Sequence, residues 1–294
     1  MKHCVLALLL LASGVLRAEV KVNRQDFKPD EESRKIYWAQ PIRFWGGKYI
    51  NDPAMRFSLL TLSNAKTSFV FYINGKLDGE RWPAAIGMAR PSEANWYINS
   101  FFTFNIDKIT PAECHVEIVE VPGDGSSGSF ILRYSHPKLQ AELKLTLLDD
   151  DDKLLMEFTP AKIDSAASGY MVRLLCYPSS LAGGSEPGRA LRKREARTPA
   201  RTLNEARHTL TPEDYWILFY DNYFDVRENR GDGPCALLFN PTQTIRSECS
   251  IANYGCQTFL YYPMAQSASF VLWDLKGWSN QAAIEFMNAL KVKF

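Results

Sequence analysis

From residue 139 to residue 147 the chain alternates without a slip: Leu139, Ala141, Leu143, Leu145 and Leu147 fall on one side, Gln140, Glu142, Lys144 and Thr146 on the other. A period of two belongs to a β-strand, and a polar flank means that only one face of its sheet is buried. The aspartates Asp149 to Asp152 follow, and then Leu154, Met156 and Phe158 resume the alternation. The chain therefore turns back as an antiparallel hairpin with an acidic tip. An aspartate run can hold calcium, but this one lacks the glycine and distal glutamate of a calcium loop, so a solvated turn is the simpler reading.

The same grammar of short alternating blocks and turn residues runs along most of the chain. It predicts strands at residues 36–45, 56–62, 68–73, 96–105, 116–121 and 130–134 before the hairpin, and at 170–177, 216–220, 235–239, 246–252, 256–261 and 269–275 after it. Residues 19–35 read as a polar extended arm. Residues 189–208 are basic and rich in helix formers, with Pro199 an interruption. One helix closes the chain, with Ser279 as N-cap and Ala283, Phe286, Met287 and Leu290 at helical spacing. No repeat or linker divides it. About fourteen strands are too many for one small barrel, and two packed sheets bury their faces best. The expectation is mainly β: a large antiparallel β-sandwich, supersandwich-like, with a C-terminal helix, as one domain over residues 36–294.

The first 18 residues pair a short polar start, Lys2 and His3, with an apolar run over residues 5–11 and a Leu16-Arg17-Ala18 cleavage site. That is the form of a secretory signal peptide, and the run is about half of the roughly 20 residues that a membrane span needs. A secreted or periplasmic protein without a transmembrane segment in its mature chain is expected. Its removal takes Lys2 and Arg17 but no acid, so the net charge of +1 becomes −1. No chain-wide field then draws nucleic acid. Export permits disulfides, and the mature chain has Cys114, Cys176, Cys235, Cys249 and Cys256. The number is odd, and the last three crowd into 22 residues, where one bridge is plausible; Cys114 and Cys176 read as small buried side chains. With no paired C-x-x-C spacing and only His115, His136 and His208 left, neither a metal nor a cofactor is expected.

Residues 134–181, which begin Tyr134-Ser135-His136-Pro137-Lys138-Leu139 and include the hairpin and the next apolar strand, resemble the central hairpin of the galactose mutarotase-like superfamily. The resemblance implies a large antiparallel supersandwich of the kind found in sugar epimerases, in domains of glycoside hydrolases and polysaccharide lyases, and in carbohydrate-binding proteins. The epimerases carry a histidine on the strand after the hairpin and a glutamate near the C-terminus. Here those segments read Arg173-Leu174-Leu175-Cys176-Tyr177-Pro178 and Phe259-Leu260-Tyr261-Tyr262-Pro263-Met264. Acid/base work on a hemiacetal needs two facing groups, so epimerase chemistry does not carry over.

The densest candidate for sugar contact is residues 215–230. Trp216, Tyr220 and Tyr223 offer faces to the C–H surface of a pyranose, and Asp221 and Asp225 offer acceptors to its hydroxyls. The same residues also read as a core strand followed by its polar turn. Arg189, Arg194 and Arg197 belong to a stretch over residues 187–207 with an excess of five positive charges. This stretch favours an acidic glycan, or is a solvated loop. Two functions stay open: a carbohydrate-binding or accessory protein, and a glycan-active enzyme, lyase or hydrolase, working through His208, Asp214, Asp221 and Asp225.

Overall fold

The computed structural model describes residues 19–39, 51–123, 125–164, 166–179, 193–226 and 232–292, and residues 1–18, expected to be a signal peptide, and Arg189 lie outside them. In chain order come β1 (Lys21–Phe27), α1 (Glu31–Ala39), β2 (Met55–Ser63), β3 (Ser68–Lys76), β4 (Ala85–Arg90), β5 (Phe102–Asn105), β6 (His115–Val121) and β7 (Ser127–His136). The hairpin is β8 (Leu139–Leu148) and β9 (Leu154–Ile163), followed by β10 (Gly169–Cys176), β11 (Arg194–Arg197), β12 (Thr202–Leu203), β13 (Arg207–Thr209) and β14 (Trp216–Asp221). The chain ends with β15 (Cys235–Phe239), β16 (Arg246–Ile251), β17 (Cys256–Pro263), β18 (Ala268–Asp274) and α2 (Asn280–Ala289). They form two nine-stranded antiparallel sheets, ordered β1-β2-β3-β4-β5-β10-β17-β16-β13 and β12-β11-β14-β15-β18-β9-β8-β7-β6.

The hairpin has the expected register, with Leu143 opposite Phe158 and Leu145 opposite Met156. Its leucines point between the sheets, where Phe104 of β5 stacks on Phe158 at 4.9 Å and meets Tyr134 of β7 edge-on at 5.0 Å. Leu60, Phe71 and Val172 of the first sheet and Leu143, Leu154 and Phe270 of the second belong to this one core cluster. The acidic tip is held from the other sheet: Asn64 Nδ2 donates at 2.7 Å to the carbonyls of both Leu148 and Asp151, and Lys66 pairs with Asp150 at 2.8 Å. The aspartates thus fasten the end of the sandwich.

A second tie joins the sheets near β18. Asp274 accepts from the Ser92 amide at 3.0 Å, the Ser92 hydroxyl at 2.8 Å and Asn95 Nδ2 at 2.8 Å, and Trp96 Nε1 donates to the Trp273 carbonyl at 2.9 Å. Burial pushes the Asp274 carboxyl up to about 6, with nearby Asp232 adding and the three hydrogen bonds opposing. The segment carrying Ser92, Asn95 and Trp96 packs so closely on β4 that a Cβ at Gly87 would fall 1.4 Å from the Ile98 carbonyl oxygen.

Several elements differ from expectation. The arm contains β1, which pairs along its whole length with β2, and α1, which replaces the start of the strand expected at 36–45. Asp30 accepts the Ser33 amide at 2.7 Å and Glu31 and Glu32 occupy the first turn, an arrangement that favours a helix start. The strand expected at 96–105 is confined to β5, and β4 was not anticipated. Within the basic stretch Arg194–Arg197 is extended, because Arg194 and Ala196 alternate inward while β11 pairs with β14. All five cysteines are buried and free, so no bridge forms among Cys235, Cys249 and Cys256. α2 is as expected: Ser279 Oγ accepts the Ala282 amide at 3.2 Å, and Ala283 and Met287 are fully buried. No helix of the described residues is long and apolar enough to cross a membrane.

Candidate functional site

β14 alternates, sending Ile217 and Phe219 into the inter-sheet core and Trp216, Leu218 and Tyr220 to the outer side, where α2 lies. Trp216 and Tyr220 are therefore packed with Trp273 and Met287, 1% and 5% exposed, and offer no ring face to a ligand. The Tyr220 hydroxyl donates to Glu195 at 3.1 Å, and burial raises its pKa well above the ordinary phenol range. Asp221 is fully buried and its Oδ1 accepts the amides of Lys193, Tyr223 and Phe224, which makes it the hub of a turn. Asp225 accepts the Asn280 amide at 3.3 Å at the start of α2, and Tyr223 is half-buried, edge-on to Phe224 at 4.8 Å.

Asp214 is buried at the other end of β14. Burial alone would raise its carboxyl, but hydrogen bonds from Arg201 at 2.7 Å, Thr198 at 2.6 Å and the Thr211 amide at 2.9 Å hold it below the usual range. Seven residue steps of mostly extended chain lead from Asp214 to Asp221, about 20 Å at strand rise. Two-carboxylate sugar chemistry works across roughly 5–10 Å, so these two are not such a pair. His208 lies on β13 at the edge of the other sheet, its Nε2 2.9 Å from the Asn204 carbonyl. Arg194 is 1% exposed, its guanidinium over the Tyr177 ring at 5.9 Å and within hydrogen-bond reach of the Pro178 and Asn253 carbonyls. Arg197 donates to Thr202 at 2.8 Å. Most of these side chains fasten the fold.

What the topology brings together lies on the outer face of the first sheet. Along β10 and β17, Tyr170, Val172, Leu174, Leu260 and Tyr262 turn into the core, so Met171, Arg173, Leu175, Gln257, Phe259 and Tyr261 turn away from it. The register sets them in three rows. The middle one runs Thr103, Arg173, Phe259, Glu248, Thr209 across β5, β10, β17, β16 and β13. One flank is Asn105, Met171, Tyr261, Arg246, and the other is Leu175, Gln257, Ser250, Arg207.

Planar groups stack on this face. The Arg246 guanidinium lies 4.0 Å from the Tyr261 ring centre, and that of Arg207 lies 5.4 Å from the Phe259 ring. Glu248 stands between the two cations, 2.6 Å from Arg207 and 3.7 Å from Arg246, and its hydrogen bond raises the pKa of Arg207. Arg173 is half-buried, its Nε has no hydrogen-bond partner, and desolvation lowers its pKa, with Tyr177 partly opposing. Beside Asn105, Asp107, Met171 and Tyr261 the surface dips into a groove of about 650 Å³. At the opposite end Tyr177 meets Tyr97 at 4.7 Å and Tyr254 at 5.0 Å. The turn carrying Tyr254 needs Gly255, where a Cβ would stand 2.9 Å from the Tyr177 ring.

The outward positions of these five strands thus carry Arg173, Arg207 and Arg246 against one carboxylate, Glu248. Such a face can stack a sugar ring and attract an anion, with Glu248 the one carboxylate among these outward strand positions and Asp107 lining the groove beside them. Sequence reasoning missed it, although Arg173, Phe259 and Tyr261 stand in the two segments where the epimerase residues are replaced. β10 and β17 are neighbours in space, and that adjacency is the signal that sequence alone withheld.

No family model matches the chain, and no curated protein matches it. Solved structures show distant similarities to it. An alpha-mannosidase from Enterococcus faecalis superposes over 74% of the chain with a TM-score of 0.38 and 9% identity, and an alpha-N-acetylgalactosaminidase from Bifidobacterium bifidum over 79% with 0.43 and 9%. The chain spans 28% and 37% of those two proteins. A galactose mutarotase related enzyme from Lactobacillus acidophilus matches over 74% of the chain and 94% of its own length, at a TM-score of 0.27 and 9% identity.

Proposed function

We propose that this chain is an exported saccharide-binding protein and that the outer face of its first sheet receives an acidic glycan. The observation that supports this reading is the three-row register, which gathers Phe259 and Tyr261 with three guanidiniums and a single carboxylate. Aromatic faces take the C–H side of a pyranose, and a net positive, partly desolvated surface favours an anionic ligand. The absence of a second outward carboxylate on these strands favours binding over hydrolysis. Export rests on residues 1–18, and an intact Met1 in a cytoplasmic fraction of the native host would overturn it.

Calorimetric titration of the mature chain with neutral and acidic oligosaccharides tests the reading. Acidic members should bind most tightly, and Tyr261→Ala should weaken every member about tenfold through lost stacking. A correctly folded sample that binds nothing in the panel at millimolar concentration refutes it.

A further inference from the structure

We propose that Arg173 is the group on this face that reads the ligand's anion, and that the anion is a sugar carboxylate, so that the ligand contains a uronate. This rests on the saccharide-binding reading above and narrows it.

The three guanidiniums are not equivalent. Arg207 and Arg246 flank Glu248 and lie over Phe259 and Tyr261, so both their charge and their faces are engaged. Among the described residues Arg173 has no ion pair, and its Nε is buried without a hydrogen-bond partner. Burying a cation without an anion is costly, and the cost falls when a ligand supplies the anion. Met171 and Leu175, the outward neighbours of Arg173 along β10, and Phe259 opposite it make an apolar collar. Weak screening there strengthens a charge-assisted contact.

The shape of the anion follows from the donors. A guanidinium is a planar fork that matches the two oxygens of a carboxylate. A sulfate presents its oxygens tetrahedrally and gains from several convergent cations, whereas the two other cations here already share Glu248. Geometry also sets the ring. Phe259 lies directly across from Arg173, with Cβ atoms about 5 Å apart in such a pair. A pyranose stacked on Phe259 can therefore direct an equatorial substituent in its own plane toward Arg173. The carboxylate of a uronate is such a substituent.

The test uses the mature chain and two probes that differ only in charge, tetragalacturonate and its methyl ester, titrated by calorimetry. The acid should bind about tenfold more tightly than the ester. Arg173→Gln should remove that preference, the acid's affinity falling to that of the ester, with far-UV circular dichroism reporting a folded chain. Arg173→Lys should restore only part of the preference, since an ammonium lacks the fork. Arg133→Gln, on the other sheet, should change neither affinity. Equal binding of acid and ester by the parent chain overturns the proposal, as does a preference that survives Arg173→Gln. A sulfated galactan oligosaccharide bound as tightly as the uronate, and as dependent on Arg173, overturns the choice of carboxylate. Failure of both probes and of every neutral sugar removes the saccharide reading itself, which is a different result from ester binding without acid preference.

Discussion

Asp274 makes the sandwich more stable at mildly acidic pH than at neutral pH, in the sense opposite to an ordinary carboxylate. Its pKa of about 6 in the folded chain exceeds the 3.8 of an unhindered aspartate, because desolvation outweighs three hydrogen bonds. Between those values the folded chain holds a proton that the unfolded chain has released, so stability falls as pH rises through the window and the cost is complete above it. At 1.36 kcal/mol per pKa unit the full cost is about 3 kcal/mol, of which about 1.4 kcal/mol should be recovered by pH 5. The perturbation is Asp274→Asn, which cannot ionise. Urea unfolding of both chains, followed by tryptophan fluorescence at pH 7.5 and pH 5, gives the quantity that matters, the difference between them. The parent chain should gain about 1.4 kcal/mol on the variant at the lower pH. Asp232, whose own carboxyl is raised by burial and opposed by Lys276, is present in both chains and so largely cancels. A difference that does not change with pH, or that favours the parent at high pH, would show that Ser92 and Asn95 stabilise the charged form more than burial opposes it.

Two further substitutions test the packing. Leu143→Asp, which buries a charge opposite Phe158, should unfold the chain, whereas Glu142→Lys should cost no more than about 1 kcal/mol, because Glu142 is part of an exposed pair with Arg133; circular dichroism melting separates them. Trp216→Ala should cost about 3–5 kcal/mol in chemical denaturation, because it empties the space beneath α2, and should leave saccharide affinity untouched in the folded fraction, whereas a loss of affinity at unchanged stability would return Trp216 to the binding surface.

The hairpin of β8 and β9 was legible because its information is local: a period of two, a turn, and the same period again. α2 was legible for the same reason, since Ser279 and its apolar stripe lie within one short segment. β4 was not, because Gly87 and Ala89 replace the branched residues that mark a strand, and only the approach of Ile98 explains the glycine. β11 was hidden by Arg194, whose inward position looks polar until Tyr177, Pro178 and Asn253 are seen around it. The burial of Trp216 and Tyr220 in the aromatic and acidic segment from Tyr215 was not legible for a related reason. A strand covered by a helix has the same composition as a sugar platform, and the helix that decides between them is some sixty residues further on. The face with Arg173, Glu248 and Phe259 is non-local altogether. Each residue is unremarkable on its own strand, and only the order β10-β17-β16 makes them neighbours.

The order of the strands also settles where another chain could join this one. Among the described residues the two sheets have four borders, and those beside β13 and β12 are only three and two residues long. A visiting strand finds too few unclaimed amides and carbonyls there to hold its place. The long borders are β1 and β6, seven residues each, at the far side of the molecule, where Arg24 already reaches across to the Ile118 carbonyl at 2.9 Å. Strand addition, whether as dimerisation or as the first step of aggregation, is thereby directed to the side remote from Phe259 and Tyr261. The protein can be crowded, or become multivalent, without obstructing the face proposed to bind saccharide.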